Sequence, residues 1–161
     1  MAAPASYSRT QIILHWIIAA LVIFQIVAHE GIAGIWRERM TGAVPNEPTP
    51  NLHAIVGILI FVLVLWRLWL RFARGVPALP AGEHPALKTV ATLTHWLFYV
   101  LLIGMPISGA VAWFAGLPTP AVAHGLAEKV LIPLILLHVA AALAQHFWFK
   151  TDVLKRMLGR A

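Results

Sequence analysis

The stretch AHGLAEKVLIPLILLHVAAALAQHFWF, residues 123–149, decides the fold. From Leu131 to Ala144 it is apolar apart from a single imidazole, His138, and a second, His124, stands fourteen residues earlier. At 3.6 residues per turn, that spacing returns one ring to within about 40° of the other, roughly 21 Å along the axis. Both rings therefore share one face of one helix, one near each end of a membrane-crossing length. A lone histidine in an apolar segment usually hydrogen-bonds to a neighbouring helix. Two at this spacing also fit a pair of haems stacked along a single spanning helix, one iron for each leaflet.

Composition agrees with a membrane setting. Hydrophobic residues make up 60% of the 161 and charged residues 11%, against about half and about a quarter in soluble domains. The formal net charge of +6 comes from Lys and Arg flanking apolar runs, not from a basic stripe of the kind that binds nucleic acid. The chain has no Cys, which excludes disulfides, thiolate-ligated haem and thiolate-bound iron–sulfur clusters. Eight His among so few charged groups is the anomaly.

Spans of about 17–25 residues cross a hydrocarbon core, and the sequence predicts four, over 8–28, 52–72, 90–115 and 122–149. The expectation is an all-α, integral-membrane four-helix bundle, one domain over residues 1–161. The first apolar run resembles a signal peptide in outline. His15 and Gln25 inside it, and the lack of a small-x-small cleavage site, predict a retained helix. The connection 30–51 contains PNEPTP, which cannot continue a helix. The connection 73–85 has three prolines, and 116–121, with Pro118 and Pro120, reads as a tight turn.

Orientation follows from loop cations. One side collects Arg9, Arg67, Arg71, Arg74, Lys88, Lys150, Lys155, Arg156 and Arg160, nine in all, and the other Arg37, Arg39 and Lys129, three. Both termini are therefore predicted to face the cytoplasm. Within the third span, Pro106 in GMPISG is expected to kink the helix, with Gly104 and Gly109 allowing close approach of a neighbour.

Ionisable groups inside a membrane need a partner or a task. Depth pairs His15 with His138 in the inner leaflet and His53 with His124 in the outer. The assignment is not unique. His29 lies fourteen residues after His15 and could supply an outer ligand, and His95, in a THW that echoes LHW at His15, lies in the inner leaflet. His146 reads as interfacial or as a quinone neighbour, and His84 as a solvated loop residue. Zinc needs three or four close ligands, whereas these are separated pairs. A proton-relaying transporter lacks intramembrane carboxylates, since Glu30 and Glu128 lie only at the outer ends.

The segments YSRTQIILHW (7–16), NLHAIVGILIFVLVLWRLWLR (51–71) and LLHVAAALAQHFWFKTDVLKRML (136–158) together resemble the prokaryotic cytochrome b561 family over nearly the whole chain, in order. The third connection is shorter than in some members. The resemblance implies two b-type haems, with His15 and His138 on the cytoplasmic one and His53 and His124 on the periplasmic one, against His29 and His95. It also implies a bacterial inner-membrane protein and transmembrane electron transfer. One member type oxidises periplasmic superoxide and reduces ubiquinone, and other relatives are quinone-linked partners of a separate periplasmic redox protein. Further expectations are that Arg37, Arg39 and Lys129 steer an anion toward the outer haem and that Arg67 and Arg71 meet propionates. A quinone site is expected among His95, Trp96, Trp16 and His146.

Overall fold

A computed structural model describes residues 4–43, 51–80 and 82–160. Six helices follow in order: α1 (Arg9–Val27), α2 (His29–Met40), α3 (Leu52–Arg74), α4 (Pro85–Ala115), α5 (Pro118–Phe147) and α6 (Val153–Met157). Of these, α1, α3, α4 and α5 are long and apolar enough to cross a membrane. Among the described residues there are no strands, and the all-α four-span architecture is the one the sequence predicts.

Local chemistry sets the helix ends. Ser8 and Gln11 form a reciprocal capping box at the start of α1, which satisfies two otherwise orphaned N–H groups. The Gln11 amide also donates to the Gly75 carbonyl at 3.0 Å, tying the start of α1 to the end of α3. There the backbone leaves the helix at Gly75 with φ of 71°, a left-handed value that a side chain would disfavour. Asn51 caps α3 by accepting from the Ala54 N–H.

Three boundaries differ from the sequence expectation, and proline explains two of them. Pro85 and Pro118 stand at the first helical position, where their missing N–H costs nothing and their fixed φ suits a helix. Hence α4 starts five residues earlier than position 90, and Pro118 and Pro120 belong to α5, not to a turn. The turn itself is Gly116 and Leu117. The third difference is α2, a helix inside the connection between the first two spans. Its apolar residues Ile32, Ile35 and Trp36 recur at helical spacing, with Arg37 and Arg39 in the last turn, where cations offset the helix dipole. The PNEPTP run, residues 45–50, and the Glu30 side chain lie outside the described residues.

The core is a set of i, i+4 ridges. Leu14, Ile18 and Val22 of α1 meet Val56, Ile60 and Val64 of α3, joined by Tyr99 and Leu131. Much of the remaining apolar surface faces outward: Val100 is 65% exposed and Leu136 67%. Such a belt would drive aggregation in water, but lipid tails solvate it. In α4, 31 residues long, the rise of 1.5 Å per residue gives about 46 Å, so its ends reach past the roughly 30 Å hydrocarbon core.

Packing runs α1 on α3, α3 on α4 and α4 on α5. Among the described residues neither α1 nor α3 packs closely against α5, which leaves a seam along that helix. At the end carrying both termini, the Trp16 indole donates to the Met157 carbonyl at 2.9 Å and Arg156 donates to the Ala78 carbonyl at 2.8 Å. These bonds fasten the α6 segment across the bundle.

Candidate functional site

Histidine rings face each other across the seam at two depths. Toward the end with the termini, His15 of α1 and His138 of α5 have ring centroids 6.3 Å apart, with planes at 62°. Toward the opposite end, His53 of α3 and His124 of α5 are 6.0 Å apart at 64°. Each pair takes one ring from α5, as the fourteen-residue spacing allows.

The rivals are placed differently. His29 turns to a carboxylate, its Nε2 lying 3.3 Å from Glu128 Oε2. His95 does approach His138, at 5.6 Å between centroids and 84° between planes, while its Nδ1 donates to the Ala91 carbonyl one turn back at 2.6 Å. His84 is exposed and caps α4 by accepting from the Ala86 N–H, a role its position before Pro85 could have signalled. His146 meets Phe147 edge-on.

His124 is held closely by α4. Its Nδ1 donates to the Met105 carbonyl at 2.8 Å, on the residue before Pro106. Gly109, one turn further along α4, makes room for the ring: a Cβ there would stand 3.0 Å from Nδ1 and 3.1 Å from Cε1. The close approach expected at Gly109 is thus present. At Gly104 it is absent, because nothing lies within 4 Å of a Cβ built there. A cavity of about 240 Å³ lies against His53 and His124, lined mainly by apolar groups, with Gly57, Gly109, Trp36 and Trp113 among them.

Two imidazoles bound on opposite sides of one metal, at metal–nitrogen distances of about 2 Å and with each ring centre roughly 1.1 Å behind its nitrogen, have centroids about 6.2 Å apart. The His15–His138 and His53–His124 pairs fit that span, and His95–His138 falls short of it. A glycine where a side chain would strike the His124 ring and an open seam are further features that suit a flat, iron-centred group. Among the described residues no three or more His, Cys, Asp or Glu side chains gather to hold an ion, so the donor sets are pairs.

Around these rings the cations are largely engaged. Arg67 donates to the Gln11 carbonyl at 2.6 Å. Arg71 lies over the Trp96 ring at 5.4 Å and the Tyr99 ring at 6.0 Å, and Phe72 extends this aromatic wall at 6.0 Å from Trp96. Trp16 stands apart from the wall, edge-on to His15 at 5.1 Å. At the opposite end Arg37 and Lys129 are exposed. Arg39 corrects the steering expectation: it is 6% exposed, stacked between Trp36 and Trp113, and donates to the Trp113 carbonyl. Its charge is turned inward by the two indoles, and it holds α2 to the end of α4.

Four apolar helices that turn paired imidazoles toward one another between them form the frame of a helical membrane cytochrome. The chain belongs to the prokaryotic cytochrome b561 family, which it matches over residues 6–160. It is 34% identical to cytochrome b562 of Cereibacter sphaeroides over 98% of both chains. It is 28% identical to the probable superoxide oxidase CybB of Yersinia pestis, over 94% of this chain and 95% of that one. With cytochrome b561 homolog 2 of Escherichia coli it shares 25% identity over 98% of this chain and 94% of the relative. Membership makes it a multi-pass bacterial membrane protein that transfers electrons and works with b-type haem.

Proposed function

We propose that the chain carries single electrons across the membrane, from a donor at the His53–His124 end to ubiquinone at the His15–His138 end. The observation that carries this is the two interhelical imidazole pairs, one at each depth of α5, with centroid separations of 6.0 and 6.3 Å. His53 with His124, and His15 with His138, would be the axial ligands of two b-type haems. Each haem, when bound, supplies an iron that changes charge by one electron.

The protein's own groups set the conditions. With two imidazoles holding each iron, no position would be left for oxygen, and the donor would deliver its electron without coordinating. The Met105 carbonyl fixes which nitrogen of His124 carries the proton, leaving the other free to ligate. The wall of Arg71, Trp96, Tyr99 and Phe72 offers a flat face and a cation to a quinone headgroup, with His95 one turn from Tyr99. Trp16 and His146 flank the same end. Arg67 and Arg71 are the propionate partners at this depth. The nine-to-three division of Lys and Arg supports placing this end, with both termini, in the cytoplasm.

Superoxide is the donor we favour. Each superoxide ion gives up one electron and leaves as dioxygen, and two electrons with two protons from the cytoplasmic side convert ubiquinone to ubiquinol. Exposed Arg37 and Lys129 raise the local concentration of an anion, and the likeness to CybB of Yersinia pestis supports this donor. A separate periplasmic redox protein is the second candidate. It is favoured by the inward engagement of Arg39 and by α2, which presents Ile35 and Met40, 44% and 42% exposed, beside Arg37.

Purified protein should contain two haems per chain by extraction and by reduced-minus-oxidised spectra. Fewer than two after careful purification counts against the proposal. Superoxide-driven ubiquinone reduction, absent in His53→Ala, supports the first donor. No rate above the spontaneous reaction supports the second.

A further inference from the structure

A ligating imidazole needs an acceptor for its second ring nitrogen, which fixes the tautomer and raises ligand basicity. His124 has the Met105 carbonyl. His53 has none: its Nδ1 is buried without a hydrogen-bond partner. One residue beside it carries the complementary defect. The Gln25 side-chain nitrogen donates to the His53 backbone carbonyl at 2.8 Å. That bond fixes the orientation of the amide, since the flipped amide would set oxygen against oxygen. The Gln25 Oε1 is then left buried with no partner. Both side chains line the same cavity, and Gly57 lies directly alongside, a Cβ there falling 3.6 Å from the Gln25 nitrogen.

An orphaned donor and an orphaned acceptor, buried together and already joined through one backbone carbonyl, are a costly coincidence unless they serve each other. We infer that Gln25 is the positioning residue for His53, its Oε1 accepting from the His53 Nδ1–H when Nε2 is bound to iron. This inference rests on His53 being an axial ligand. It goes beyond that assignment by giving the outer ligand a dedicated orienting side chain on α1, where His124 uses the backbone of α4.

The test replaces the ring with a small molecule. His53→Gly should lose the outer haem's six-coordinate spectrum, and added imidazole should restore it. Imidazole has an N–H to offer Gln25, and 1-methylimidazole has none. With Gln25 present, imidazole should bind about threefold to tenfold more tightly than 1-methylimidazole, the usual worth of one neutral hydrogen bond. In His53→Gly with Gln25→Leu that preference should vanish. An unchanged preference in the double variant overturns the inference and leaves His53 as a ligand. A His53→Gly protein with an unaltered spectrum overturns the ligand assignment itself. If His53→Gly does not accumulate, Gln25→Leu alone decides. Loss of the acceptor makes the ring a weaker base and should favour the ferrous state about tenfold, an upward shift of about 59 mV at the outer haem. No shift overturns the inference.

Discussion

Gly109→Ala is the sharpest probe of the outer site. On helix propensity alone the change is favourable, since Ala is better than Gly by about 1 kcal/mol in a helix interior. Geometry reverses the sign. The new methyl would stand 3.0 Å from His124 Nδ1 and 3.1 Å from Cε1, so the ring must withdraw by a few tenths of an ångström. That ring is also held at 2.8 Å by the Met105 carbonyl. Overpacking costs about 1–3 kcal/mol, and a weakened hydrogen bond about 1 kcal/mol more. Set against the propensity gain, the balance is a loss of about 1–3 kcal/mol, carried by the site that holds the ring. Haem retention at that site should therefore fall about fivefold to more than a hundredfold. Gly104→Ala is the matched control, with nothing within 4 Å of its new methyl, and should be neutral or stabilising by up to about 1 kcal/mol. The assay is haem per chain together with the rate of haem release to an excess of apomyoglobin. A Gly109→Ala protein that keeps both haems and releases them no faster than Gly104→Ala would refute the placement of the outer site.

Other substitutions separate the histidines and the cations. His138→Ala should remove the inner haem from the reduced-minus-oxidised spectrum, whereas His29→Ala should leave both haems in place, because its ring faces Glu128. Loss of a haem in His29→Ala means the outer pairing is wrong. Arg39→Ala should cost about 2–3 kcal/mol, from a buried charge-assisted hydrogen bond and stacking on two indoles. It should expose α2 to protease while leaving haem content unchanged, and an intact α2 would contradict the clamp. Burial pushes the Tyr7 phenol above its ordinary value, with Arg67, Arg71 and Arg156 pulling the other way. The unfolded chain then releases that proton first, so stability holds below about pH 10 and falls as pH rises beyond it. Thermal unfolding of Tyr7→Phe should show a flatter decline above that pH, and an identical profile would refute the assignment.

The four spans were legible because hydropathy is additive along the chain, and lipid exposure strengthens the signal. The fourteen-residue interval in α5 placed two rings on one face, and depth offered His15 or His95 to one and His53 or His29 to the other. That reasoning could not rank His15 against His95. Both rings approach His138 in the structure, and they differ by 0.7 Å in centroid distance (6.3 against 5.6 Å), a quantity set by how α1 and α4 each pack beside α5. Arg39 escapes the sequence for a related reason. A guanidinium in a loop looks like a surface charge until the indoles of Trp36 and Trp113, 77 residues apart in the sequence, close around it. Pro118 and Pro120 suggest a turn only by the rule for helix interiors, whereas at a helix start the missing N–H costs nothing.

The division of labour among the helices has a physical basis. A flat cofactor between helices needs two facing ligands and a gap, and tight packing along every helix pair would close the gap. Here α1, α3 and α4 pack in series through ridges such as Leu14, Ile18 and Val22 against Val56, Ile60 and Val64, which gives a three-helix wall. Helix α5 joins that wall mainly through α4, at contacts such as the Gly109 approach to His124. Its apolar flank can then face lipid while its two histidines face the seam. The spacing of His124 and His138 is thus set within one helix, and the rings they face, His53 and His15, come from two others. A substitution that tightened α1 or α3 onto α5 would stabilise the bundle against unfolding and still weaken the site.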